Sequence, residues 1–128
     1  MMAKGDIKYT ENHDWVRVEG RTVTVGVTDF AQKELGDIVF VELPDQGEEY
    51  SKGEEMVVIE SVKSVSDVEA PIGGKVTEVN ESLEGEPEKI NESPFESGWL
   101  VRLEMEDESE LESLLEEAEY EELKEEEA

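Results

Sequence analysis

Lys63 is the residue in this chain best placed for covalent chemistry. It stands in the stretch IESVKSVSDVEAP, Ile59 to Pro71, and is the one basic residue between Lys52 and Lys75. A primary amine between two short β-prone runs could be a Schiff-base nucleophile, a general base or an acceptor for an acyl group. The first two need an amine that sheds its proton easily, through burial or neighbouring cations. A hairpin tip gives little burial, and the flanking charges, Glu60 and Asp67, stabilise the ammonium instead. An acyl acceptor needs only rigid display, because another enzyme brings the activated acyl group. A solvated turn lysine is the plain alternative, and the surrounding pattern has to decide.

Other chemistry has little to build on. The chain has no cysteine, so thiolate metal sites, disulfides and cysteine nucleophiles are excluded. His13 is the only histidine, which leaves no multi-histidine metal site and no triad. Placed beside Asp14 and Trp15, it reads as a packing or hydrogen-bonding residue. Neither a calcium loop nor a phosphate loop is present. The chain is not equipped as an enzyme in its own right, and any redox chemistry must be carried by an attached group.

The 128 residues carry 37 Asp and Glu against 11 Lys and Arg, a formal net charge of −26. Nucleic acid needs clustered cations, and an anionic membrane surface repels such a chain. Partners with basic patches, or cationic ligands, are favoured. Screening in concentrated salt would equally explain the acidity. No membrane span or signal peptide is read. The expectation is a cytoplasmic protein if prokaryotic, or a mitochondrial matrix protein if this is a processed eukaryotic chain.

One domain, 1–128, is expected. Trp15 to Val18 and Thr22 to Val27 alternate around a Gly-containing turn and predict a hairpin. Thr28 caps a short helix, Asp29 to Leu35, closed by Gly36. Ile38 to Leu43 reads as a strand covered on both faces. Met56 to Val62 and Ser66 to Ala70 are strands with Lys63 between them, Lys75 to Val79 is another, and Leu83 to Ser97 is loop-like. Trp99 to Met105 rejoins a sheet. Ser109 and Glu112 form a capping-box pattern, with Leu111, Leu114, Leu115 and Ala118 at helical spacing. This predicts a C-terminal helix over 107–119 docked on the sheets, followed by a frayed acidic tail, 120–128. Many short strands with frequent turns point to a mainly β fold, a sandwich or flattened barrel.

These blocks resemble the H proteins of the glycine cleavage system, in order and over nearly the whole chain. The matching stretches are HDWV (His13–Val16), VGVTDFAQKELGDIVFVELP (Val25–Pro44) and IESVKSVSDVEAPIGGKV (Ile59–Val76). VNESL (Val79–Leu83), INESPFESGWL (Ile90–Leu100) and SELESLL (Ser109–Leu115) follow. Ordinary lipoyl domains usually show Asp-Lys-Ala at the hairpin tip and biotinyl domains Met-Lys-Met. Here Glu60, Ser61, Val62 and Ser64 frame the lysine as in H proteins. The resemblance implies a lipoyl/biotinyl-type β-sandwich with short helices, monomeric, with lipoate amide-linked to Lys63.

It also implies a shuttle. The arm takes an aminomethyl group from glycine decarboxylase (P-protein) and presents it to aminomethyltransferase (T-protein). Dihydrolipoamide dehydrogenase (L-protein) reoxidises it, and a lipoate ligase or an octanoyl/lipoyl transferase attaches it. The positions that match the family's arm cleft are Asn12, Asp14 and Asp67, of which the two carboxylates would hold the cationic amine away from water. Asp14 stands where Glu is common, one methylene shorter, and Phe95 where Tyr is frequent. Two other readings share the lysine: an H-like protein relaying lipoyl groups to other complexes, and a module cut from a multienzyme complex. The second is disfavoured by the HDWV block and the C-terminal segment.

Overall fold

The computed structural model describes residues 6–127. In chain order the strands are β1 (Asp6–Tyr9), β2 (Asp14–Glu19), β3 (Thr22–Val27), β4 (Ile38–Glu42) and β5 (Glu49–Tyr50), followed by β6 (Glu55–Ser61), β7 (Val65–Glu69), β8 (Gly74–Val79) and β9 (Val101–Met105). They form two antiparallel sheets, one of six strands in the order β1-β2-β3-β9-β8-β5 and one of three, β4-β6-β7. The architecture is mainly β and is not a closed barrel, so β7 has a free edge.

Alternation puts Val16, Val23, Val25, Val57, Ile59, Val76 and Leu103 into one core, each fully or almost fully buried. Side chains of this kind stabilise by roughly 1.5–3 kcal/mol each on burial. Helix α1 (Asp29–Leu35) forms where its cap signals stand. Thr28 Oγ1 accepts the Ala31 N–H, and Gly36, at φ 83°, donates its N–H to the Gln32 carbonyl. Between β8 and β9 the expected loop contains two short helices, α2 (Ser82–Gly85) and α3 (Lys89–Glu92). Leu83 and Ile90 plug the core from them. Strand β4 departs from expectation more sharply. Ile38 and Val41 face the core, whereas Val39 and Phe40 are exposed next to an irregularity in the β4–β6 register. Only one face of it is covered.

The C-terminal segment also differs from its sequence reading. Residues 107–119 do not form one helix. Asp107, rather than Ser109, caps a 3₁₀ turn, Glu108–Ser113. Leu115 then pairs with Tyr9, exchanging two backbone hydrogen bonds at 2.9 and 2.7 Å. The α-helix, α4, spans Glu117–Glu127 and occupies most of the segment expected to be frayed. The apolar stripe runs through Tyr120 and Leu123, while Ala118 is exposed. The reason is a second small core. Tyr120, 2% exposed, stacks on Tyr9 with ring centroids 4.5 Å apart, beside Trp15, Leu115 and Leu123. One tyrosine therefore holds the helix that its acidic neighbours would otherwise leave in solvent.

Removal of residues 120–128 is accordingly expected to destabilise the fold. Tyr120→Phe alone should cost about 1–3 kcal/mol, the range for leaving buried polar partners unpaired. Urea melts of both variants check this, and a truncated chain with unchanged stability would restore the frayed-tail reading.

Candidate functional site

The site begins at the turn between β6 and β7. Ser61 donates its N–H to the Ser64 carbonyl at 2.8 Å. Its Oγ accepts the N–H groups of Lys63 and Ser64 at 3.2 and 3.1 Å. Val62 N–H bonds the Asp37 carbonyl at 3.0 Å, tying the tip to the start of β4. Side-chain capping of this kind fixes a tight turn. Ser61 and Ser64 thus hold the tip, while Glu60, on β6, lies between Phe40 and Val65 in the strand register. Lys63 is exposed, and its stem lies over Gly36. A Cβ built on Gly36 would sit 3.4 Å from Lys63 Cε. The glycine that ends α1 leaves a cradle for the lysine stem.

Beside that cradle, a groove of about 430 Å³ is lined by α1 up to Leu35, by Ser66 to Glu69 of β7 and by the residues at the start of β2. From Val65 to Glu69 is four strand steps, about 13 Å at roughly 3.3 Å per residue. Leu35, Ala31, Phe30, Val27 and Ile59 give it apolar walls. Asn12, Asp14 and Asp67 all line it, so the structure brings the three sequence-predicted cleft residues together. They differ in character. Asn12 is exposed in the turn before β2, and Asp67 is exposed on β7. Asp14 is 4% exposed, with the Thr10 hydroxyl donating to its carboxylate at 3.3 Å. Burial, with a further push from Glu69, raises its carboxyl to about 7 despite that hydrogen bond. Asp14 also borders a second cavity, of about 330 Å³, on the side of Lys52 and Leu114.

Sequence reasoning missed four further carboxylates on the groove: Glu11, Glu34, Glu69 and Glu127. Glu127 lies seven residues, two helical turns, beyond Tyr120 on α4, and it reaches the groove only because Tyr120 docks that helix. His13 links the two. Its Nδ1 lies 2.9 Å from the Tyr120 hydroxyl and its Nε2 2.8 Å from Glu127 Oε1. The Tyr120 hydroxyl also meets Thr28 Oγ1 at 2.8 Å, and the His13 ring stacks on Phe30 at 4.4 Å. The expectation of a hydrogen-bonding histidine agrees with this geometry. Helix α4 thereby fixes the α1 cap and the turn carrying Asn12 and Asp14, one on each side of the groove. Among the described residues, no group of three His, Asp or Glu side chains could hold a metal ion.

The arrangement offers an exposed amine, a path for its stem, and an apolar channel with carboxylates along it. An aliphatic arm on the amine, with a cationic group at its end, fits the residues present. Residues 7–127 match the family model described as glycine cleavage H-protein. The glycine cleavage system H protein of Staphylococcus saprophyticus is 51% identical over 123 residues, covering 96% of this chain and 98% of that protein. That of Halothermothrix orenii is 54% identical over 115 residues, covering 90% of each. A crystal structure of a glycine cleavage system H protein from Mycobacterium marinum superposes with a TM-score of 0.80 at 38% identity, covering 92% of this chain and 95% of that one.

Proposed function

Since the chain belongs to the glycine cleavage H-protein family, whose members are lipoyl carriers rather than catalysts, we propose that Lys63 bears lipoate and that the arm's loaded end rests in the groove beside α1. The observation that carries this reading is the Lys63 stem lying over Gly36, the residue next to Leu35 of the groove wall. When bound, lipoate supplies the dithiolane that accepts an aminomethyl group and is later reoxidised. The chain's own residues hold, orient and shield.

Ser61 holds the tip so that Lys63 is displayed at one place, which raises the effective concentration of whatever it carries at the groove. Amide formation removes the lysine charge, so the acids nearby are left to attract cargo rather than Lys63. Phe30, Leu35 and Ile59 exclude water from a group prone to hydrolysis. Asp14, Asp67 and the glutamates complement a cationic amine. A chain that only relayed acyl groups would have no use for a groove lined by carboxylates. The proposed partners are glycine decarboxylase as aminomethyl donor, aminomethyltransferase as acceptor and dihydrolipoamide dehydrogenase as reoxidant. Glycine–bicarbonate exchange by glycine decarboxylase, titrated with the acylated chain, tests the reading. Exchange that does not depend on the added chain would refute it.

Asp67→Asn tests the groove more finely. Acylation of Lys63 should be unchanged, because Asp67 lies on β7, four residues after the lysine. An exposed carboxylate–ammonium contact is worth up to about 1 kcal/mol, so the loaded form should decay roughly two- to fivefold faster. Release of ammonia and formaldehyde measures that rate, and an unchanged rate would remove Asp67 from the site.

A further inference from the structure

Among the described residues, the large apolar side chains left exposed are Val39, Phe40, Val62 and Val65, at 53, 48, 68 and 67%. All four gather at one end of the three-stranded sheet, around Lys63. Val62 precedes the lysine and Val65 lies two residues after it. Phe40 pairs with Glu60, and Glu60 with Val65, so Phe40 and Val65 flank Glu60 from the two neighbouring strands. The Val62–Asp37 hydrogen bond brings the turn against the start of β4, beside Val39. Exposed apolar clusters rimmed by polar groups mark interaction sites, and neither folding nor the groove uses this one.

We propose that the patch is the docking surface of the enzyme that acylates Lys63. This rests on the reading of Lys63 as the attachment site and adds where, and by what contacts, the attaching enzyme grips the chain.

Reach identifies the occupant. In the acylation step the lysine Nζ attacks the carbonyl of an acyl adenylate or acyl thioester. The amide C–N bond forms as the C–O bond to AMP, or the C–S bond to the carrier thiol, breaks. The ammonium sheds two protons, to a base on the partner and to the leaving group or solvent. The reacting nitrogen is then only a lysine stem from the backbone, so the acylating enzyme must press on the turn itself. An enzyme that handles the far end of a finished arm works a full arm's length away and does not need Val62 or Val65.

Charge identifies the partner's face. Asp37, Glu42 and Asp67 are exposed around the patch, and Glu60 lies half-buried within it. Lys63 is the only cation in the sequence between Lys52 and Lys75. The partner therefore presents an apolar contact ringed by Arg and Lys, and the chain's charge of −26 speeds their encounter at low salt.

The test uses the full-length apo chain and a purified lipoate ligase with ATP and lipoate. The variants are the double substitution Val39→Ser with Phe40→Ser and, separately, Val65→Ser. All three positions face outward, and thermal melts matching the parent chain verify the fold. For the double variant, kcat/KM for acylation should fall at least tenfold, through KM for the chain, the size of a central interface contact. Val65→Ser should fall in the same direction. Added salt should raise KM for the parent. The same variants, driven to full acylation with excess ligase, should support glycine–bicarbonate exchange at the parental rate. Acylation within twofold of the parent overturns the proposal. An equal loss in exchange also overturns it, by assigning the patch to a later partner. If the parent chain itself takes no acyl group at Lys63, the reading of the lysine fails and the docking proposal with it.

Discussion

Lys63→Arg is expected to abolish acylation and all glycine–bicarbonate exchange while leaving the fold intact. Arginine keeps the positive charge and the length of the stem, so the exposed tip loses no packing. The hydrogen bonds that shape the turn come from backbone groups and Ser61, not from the lysine side chain. A guanidinium stays protonated and is not an acyl acceptor. The effect is therefore all-or-none in function and near zero in stability, where a surface change typically stays within about 0.5 kcal/mol. A thermal melt and an exchange assay on the same preparation separate the two. Normal exchange by the arginine variant would remove Lys63 from the mechanism.

Asp14→Asn should have the largest effect on stability, and in the stabilising direction. The Asp14 carboxyl lies near 3.8 when unperturbed and at about 7 in the folded chain, with burial as the main cause. Between those values the folded state binds the proton more tightly than the unfolded chain does, so stability falls as pH rises. The penalty is absent below about pH 4 and complete above about pH 7. At about 1.4 kcal/mol per pKa unit, some three units amount to about 4 kcal/mol. Asparagine occupies the same volume and can still accept the Thr10 hydroxyl. It should therefore stabilise the chain by up to about 4 kcal/mol at pH 8, roughly 10 °C or more in melting temperature, and by little at pH 4. Melts across that range check the sign, and parallel curves for parent and variant would refute it.

The same substitution should weaken retention of a cationic cargo. An amine arriving in the groove favours the carboxylate over the acid, so binding expels a proton from Asp14. Retention should strengthen as pH rises through about 7. Cost to folding and benefit to cargo thus fall on one buried group, as expected where function overrides local stability.

Much of the fold was legible from local signals. The β2–β3 hairpin, α1 with Thr28 and Gly36 as its ends, and the strands on each side of Lys63 follow from alternation and capping. These patterns carry their own periodicity and need no partner to be read. Legibility failed where a distant contact decides. Nothing near Glu117–Glu127 announces that Tyr120 will stack on Tyr9, so an acidic run reads as solvated. Strand β4 reads as doubly covered because its first four residues, IVFV, are all apolar, and only the assembled sheet shows Val39 and Phe40 facing outward. The groove was half-legible. Family resemblance pointed to Asn12, Asp14 and Asp67, but the near-complete burial of Asp14 and the arrival of Glu127 from the far end of the chain depend on packing.

Peptide mapping of the parent chain after coexpression with a lipoate ligase decides whether this lysine is the carrier. If Lys63 displays the arm, the intact mass rises by a single lipoyl group, and the addition falls only on the peptide containing Ser61 to Val65. An unmodified chain in the presence of active ligase, or a lipoyl group on any other lysine, would contradict it.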